Sequence, residues 1–279
     1  MTVPRFLLWS CLHSYKIKFS YIGTHFFGSQ YQPGLRTVEG AISESFARAL
    51  KSEFSFVVSG RTDAGVHAEA QVGRLRILNN IPPERLLYCL RRCLPDDIVL
   101  YSVMYVDEDF HPRFSACYRE YHYLYTPHRD ALPFVYNAFV AQGVGGENHE
   151  PIPPLLASLI GSHDFAAFRC LGSSEKSTRK TVFSCDMIRD SFVTPFSGSL
   201  DVVRFRIVAD SFLYRMVRCI LGALFEVMKD PDKAALFLDS LHSGKKVIDY
   251  ELAPAKGLVL VSVGYRDPFV GNWKGDSGD

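Results

Sequence analysis

The 279-residue chain has no C-x-x-C pair, no apolar run long enough for a membrane span, and a net charge of only +1. Each of these gaps closes off a class of function. The seven cysteines, at 11, 89, 93, 117, 170, 185 and 219, are odd in number and scattered. They argue against a disulfide framework and for a reduced, cytoplasmic setting. Cys89 and Cys93, four apart on an expected helix, read as buried thiols rather than metal ligands. The longest early apolar run, Phe6-Leu7-Leu8-Trp9, is too short for a signal core or a span; the stretch ahead of the first strand leaves room for a very short targeting segment. Gly143-Val-Gly-Gly146 lacks the strand-to-helix context of a nucleotide loop. No carboxylate or His cluster stands at ligand spacing, so no metal is expected.

Acidic residues are missing from the first 38 positions, where Arg5, Lys16, Lys18 and Arg36 occur, and residues 1–100 hold twelve Lys/Arg against eight Asp/Glu. That mild basic bias is compatible with a polyanionic partner. What remains is an ordinary globular composition, 47% hydrophobic and 22% charged, sufficient for one large core or two modest ones.

Hydrophobic periodicity divides the chain in two. Tyr15 to Tyr21 alternates apolar and polar residues, as a half-buried strand does. Residues 37–50 put Val38, Ala41, Ile42, Phe46 and Ala49 at helical spacing behind Thr37, a candidate N-cap. Strands follow at 54–59 and 69–78, a helix from Pro83, and a strand at 98–106. The order βαββαβ then recurs: strand 117–126, helix 152–161, strands 182–189 and 201–209, helix 212–228, strand 257–265, with an added helix at 232–241. The expectation is an α+β protein made of two tandem ferredoxin-like halves, 1–106 and 107–279, with the seam near 107–116. They would form a mainly antiparallel sheet with helices on one face and a central cleft. Loops at 127–151 and 170–181 are long enough to suggest binding roles.

One decapeptide stands apart. Ser-Gly-Arg-Thr-Asp-Ala-Gly-Val-His-Ala at 59–68 sets Arg61, Asp63 and His67 among two glycines after a β-prone run. Alone it reads equally well as a turn. Four further blocks accompany it: Phe110-His-Pro-Arg-Phe-Ser-Ala116 with Tyr121-His-Tyr123, Asp164-Phe-Ala-Ala-Phe-Arg169, Met216-Val-Arg-Cys-Ile-Leu-Gly222, and Gly257-Leu-Val-Leu-Val-Ser-Val-Gly-Tyr265. With these in order the chain resembles the TruA family of tRNA pseudouridine synthases from about residue 15 to 265. One departure is visible: Gly28-Ser29-Gln30 stands where the family usually carries Gly-Trp-Gln, which puts a detail of RNA contact or packing in doubt.

The resemblance implies a cofactor-free isomerase acting on tRNA as a homodimer, most often in the anticodon stem-loop at tRNA positions 38–40. It places the nucleophile on Asp63, the ion-pairing arginine on Arg218, the base-stacking ring on Tyr121 and the base-extruding cation on Arg61. Leu258 and Leu260 would line the pocket; His111, Arg113 and Arg179 would shape the site or bind phosphate. Such an aspartate must be ionised in a dry pocket, where burial raises its pKa and a neighbouring cation lowers it. His67 is read as a loop-fixing hydrogen-bond partner, Arg215 as a phosphate or surface contact on the helix of Arg218, and Arg74 and Arg76 as a solvated or phosphate-contacting strand face. Lys176 and Lys180 are read in the same way as those two. The alternative function is a non-catalytic tRNA-binding or folding protein.

Overall fold

The structure, a computed structural model, describes residues 12–127, 139–172, 175, 177–193 and 199–266. Alternation along β1 (His13–Tyr21) buries Tyr15, Ile17, Phe19 and Tyr21 and turns Lys16 and Lys18 to the opposite face. In α1 (Val38–Leu50) the Thr37 hydroxyl accepts from Gly40 N, satisfying an amide the first helical turn leaves unpaired. Ile42 and Phe46 point into the core. β2 (Phe54–Val58), β3 (His67–Ile77), α2 (Pro83–Arg91) and β4 (Ile98–Tyr105) complete the first half, in the order β4-β1-β3-β2 with every pair antiparallel. On α2 only Leu86 and Leu90 turn fully inward. Cys89, read as a buried thiol, is therefore exposed, and Cys93 is half-buried.

The second half begins with β5 (Ala116–Thr126), followed by β6 (Ala141–Gln142), α3 (Ile152–Leu159), β7 (Gly161–Asp164), β8 (Arg179–Val193), β9 (Ser199–Ala209), α4 (Met216–Lys229), α5 (Ala234–Ser243) and β10 (Leu258–Tyr265). Its principal strands run β10-β5-β9-β8, the same ferredoxin-like order as in the first half. The two halves share one ten-stranded sheet because β10 lies between β3 and β5.

β3 is forked. Its residues 73–77 pair with β2, whereas His67 and Ala68 pair in parallel with Val259 and Leu260 of β10. The chain leaving β2 and entering β3, residues 59–66, thus sits where β2 gives way to β10. A loop at this point touches both halves.

Several expectations change. The helix expected over 212–228 begins at Met216, because Arg215 adopts a left-handed conformation (φ 61°) that breaks the helical run. Much of the loop expected at 170–181 ends early, since β8 begins at Arg179 and pairs with the short strand β7. Residues 128–138 and Lys176 lie outside the described residues. Arg74 and Arg76 are committed to the seam: Arg74 Nη1 donates to Phe110 O (2.6 Å), and Arg76 donates to Ser14 Oγ (3.2 Å) and Glu108 O. Arg119 Nη2 and Tyr265 Oη donate to Arg113 O (2.8 Å) and Pro112 O (2.8 Å). Among the described residues, no helix is long and apolar enough to cross a membrane.

A charged cluster crosses β5, β8 and β9. Arg206 Nε donates to Glu120 Oε1 (2.6 Å), His122 Nε2 lies 3.0 Å from the same oxygen, and Arg206 Nη1 pairs with Asp186 Oδ2 (3.2 Å). Burial works against the charged Glu120, but Arg206 and His122 outweigh it and hold its carboxyl below the usual value. A carboxyl depressed in the folded state contributes stability above its unfolded pKa and loses it as pH falls through the folded one. Glu120→Gln should therefore flatten the fall in melting temperature between about pH 5 and pH 3. An unchanged slope would show that this cluster does not set acid stability.

Candidate active site

Two loops run side by side in opposite directions and define the site. Gly23 N donates to His67 Nδ1 (3.0 Å), Gly65 N to Phe26 O (3.3 Å), and Ser29 N to Thr62 O (3.1 Å). Residues 23–29 thus form a backing for residues 62–67. His67, buried at the start of β3, fixes this loop from within. Gly65 needs its left-handed backbone (φ 79°) for the turn, whereas Gly60 has ordinary space around a notional Cβ (nearest atom Arg119 Nε, 3.8 Å). Gly65 alone of the two shapes the loop.

Asp63 projects from this turn towards the second half. Arg218 Nη1 donates to Asp63 Oδ2 at 2.8 Å, and Arg215 Nε lies 3.7 Å from the same oxygen. The Asp63 side chain is 16% exposed and that of Arg218 12%, so the pair is largely desolvated yet open at one side. Arg218 is itself held: its Nε donates to Ala253 O (2.7 Å), and Ala253 N donates to Arg218 O (3.2 Å). No described residue donates a hydrogen bond to Asp63 Oδ1. The carboxylate thus has one anchored oxygen and one that can meet a ligand.

Tyr121, nearly buried on β5, sits in register with Leu260 of β10, and Tyr123 with Leu258. Phe212 meets the Tyr121 ring edge-on (5.1 Å, 90°). Burial pushes the Tyr121 phenol up, Tyr21 and the Asp63 charge add to this, and Arg119 opposes it; Tyr121 is a neutral ring beside the carboxylate. Arg61 is exposed at the entrance to the loop.

His111, Arg113 and Arg179 make no hydrogen bond or ion pair with Asp63. His111 Nδ1 accepts from Arg113 N (3.2 Å) and Phe114 N (3.4 Å), which shapes the linker turn. Burial and then Arg74, Arg113 and Arg76 hold its pKa below the usual histidine value. Arg113 and Lys180 both pair with Glu175, at 3.4 and 3.3 Å. Arg179 is exposed at the start of β8, where its Nη1 donates to Ser162 O (3.4 Å).

Around the loop, Arg119, Phe212 and Ser29 are not among the expected site residues, and Arg215 is expected only as a phosphate or surface contact. Arg215 leaves the helix and turns its guanidinium over Tyr214 (4.7 Å) and towards Asp63. Arg119 donates to Asp210 O (2.9 Å), Ser59 O (3.2 Å) and Arg113 O, tying both sides of the seam to the start of the loop. Phe212 was assigned to a helix that starts later. Ser29 was visible only as a departure from a pattern.

Arg218 bridges Asp63 and Ala253 through its planar fork, which a lysine cannot reproduce. Arg218→Lys should fold normally and lose about 100-fold in kcat through misplacement of Asp63; a loss under about threefold would remove Arg218 from the site. Gly222 faces the segment that carries Ala253, and a Cβ there would strike Glu251 O. Gly222→Ala should cost about 1–3 kcal/mol in denaturant melts through overpacking, and lower kcat as Ala253 is displaced.

A sequence profile for tRNA pseudouridine synthase matches residues 18–115 and 155–266. Among similar proteins, a tRNA pseudouridine synthase A of Gloeobacter violaceus is 35% identical over 92% of this chain and 82% of its own length. One of Acetivibrio thermocellus is 33% identical over 91% of this chain and the whole of its own, and one of Bacillus pumilus 34% over 90% and 98%. Family match, fold and the order of the motif blocks agree: the chain belongs to the tRNA pseudouridine synthase family, whose members are isomerases acting on uridine in tRNA.

Proposed function

We propose that this chain converts uridine to pseudouridine in the anticodon stem-loop of tRNA, at positions 38–40, with Asp63 as nucleophile and without a cofactor. The observation that carries the reading is the carboxylate geometry: Oδ2 is held by Arg218 while Oδ1 has no donor among the described residues. An oxygen anchored on one side and open on the other suits covalent catalysis, because the attacking atom needs neither reorientation nor desolvation.

The chemistry closes on itself. Asp63 forms and then gives up a bond to the uridine; the C1′–N1 bond breaks, the base turns in the pocket, C5 bonds to C1′, the C5 hydrogen leaves as a proton, and N1 takes one up. Nothing is oxidised and no group is imported, so no cofactor is required. Arg218 and Arg215 lie against the Asp63 carboxylate, 2.8 and 3.7 Å from Oδ2, and would balance its charge when it is released. A uridine in a stem must first leave its stack, at a cost of a few kcal/mol. Arg61, exposed at the loop entrance, would fill the vacated place. Tyr121 would offer the extruded base a face worth about 1–3 kcal/mol, with Leu260 and Leu258 behind it.

His111, Arg113 and Arg179 would serve the tRNA backbone around this centre. The halves 1–106 and 107–279 would act as two walls of one cleft in a cytoplasmic homodimer, each tRNA reaching across two subunits. Such a cleft suits a substrate far larger than its reacting base.

Tritium release from tRNA carrying uridine labelled at C5 tests the reaction directly. The wild-type chain should release tritium in the presence of EDTA, and Asp63→Asn should release none while binding tRNA with unchanged affinity. Turnover by Asp63→Asn would remove Asp63 as nucleophile. Pseudouridine mapping of the product locates the modified positions, and modification outside the anticodon stem-loop would overturn that part of the reading.

A further inference from the structure

Thr62, immediately before Asp63, has all three of its polar groups engaged, and Ser29 provides two of the partners. Ser29 N donates to Thr62 O (3.1 Å), Ser29 Oγ accepts from Thr62 N (2.8 Å), and Thr62 Oγ1 shares a 2.7 Å hydrogen bond with Tyr21 Oη. In a sheet, two residues so opposed would exchange both bonds through their backbones. Here Ser29 O is already taken by Glu39 N (2.9 Å), and Gly28 O by Val38 N (3.2 Å), both in the first turn of α1. The Ser29 hydroxyl stands in for the missing carbonyl.

We infer that Ser29 is a positioning residue for the reaction: it fixes Thr62, through the peptides on both sides of it, against α1, and so the direction in which Asp63 Oδ1 faces the substrate. The inference rests on Asp63 being the nucleophile. Ser29 has no exposed surface, so it acts on the loop and not on tRNA. This also gives the departure from Gly-Trp-Gln a physical meaning. An indole offers a donor and no acceptor, so a tryptophan side chain could not receive Thr62 N–H as this serine does. Family members with tryptophan there must hold the loop by other means, and the change in this chain concerns the backing of the catalytic loop rather than recognition of RNA.

The test compares Ser29→Ala and Ser29→Thr with the wild-type chain on full-length tRNA. Ser29→Ala removes the acceptor and creates no steric demand, so it should fold. Its single-turnover rate should fall about 10- to 100-fold while the Kd for tRNA stays within about twofold, the pattern of a misdirected catalytic group. Hydrogen exchange at the Thr62 amide should quicken in parallel. Ser29→Thr keeps the acceptor and should recover most of both the rate and the protection. A wild-type rate in Ser29→Ala, a rate loss with Thr62 protection intact, or an equal loss in Ser29→Thr would each overturn the inference. The outcome is separable from that for the nucleophile: an inactive Asp63→Asn beside a fully active Ser29→Ala defeats the role of Ser29 alone, whereas an active Asp63→Asn defeats the reading on which it rests.

Discussion

The ion pair between Asp63 and Arg218 joins residues 155 positions apart, one from each half of the chain. A carboxylate and a guanidinium taken largely out of water are each unfavourable alone, and each is made tolerable by the other. Much of the surrounding structure keeps that arrangement in place. Arg218 is braced by Ala253, the segment of Ala253 lies against α4 at a glycine, and Asp63 leaves a turn that is hydrogen-bonded along residues 23–29. Arg119 draws carbonyls of Ser59, Arg113 and Asp210 together and has no carboxylate ion pair among the described residues. It supplies charge-assisted bonds to backbone and leaves Asp63 to Arg218 and Arg215.

The loop gains its rigidity from two sources of different kinds. One is the sheet, where β3 exchanges β2 for β10 beneath the turn. The other is the first turn of α1, which reaches the loop through Ser29. A carboxylate on a loop with no such support would sample many directions, and fixing it against a ligand would carry an entropy cost. Supported on both sides, the turn presents a carboxylate whose bound oxygen is set by charge and whose free oxygen is set by backbone.

The sequence made the framework legible where local physics decides it. The alternation of Tyr15 to Tyr21 predicts β1, and Thr37 followed by Val38, Ile42 and Phe46 predicts α1. Both depend on neighbours within one element. The decapeptide at 59–68 was legible through its residue types and through its order among the other blocks. What escaped depends on long-range geometry. The left-handed conformation of Arg215 contradicts the apolar helical run that follows it, and a non-glycine residue carries no local mark of such a conformation. Arg74 and Arg76 look like a solvated strand face until the linker folds over them and offers its carbonyls. Arg119 has the same appearance. The strand β7 is four residues long, below the length at which alternation is readable.

β10 follows every other described element in the chain, yet it lies in the middle of the sheet. Its partners are residues 67–68 on one side and 116–123 on the other. During synthesis, residues up to 257 can emerge with Asp63 and Arg218 both present while the strand that joins their halves is still on the ribosome. Such long-range pairing forms late and slowly. Until it forms, Tyr121 lacks Leu260 beside it and the His67–Ala68 end of β3 is paired on one side only, by β1. The position of this strand works as a completion check: a nascent or prematurely terminated polypeptide carries every charged group of the site and still lacks the sheet that brings them together.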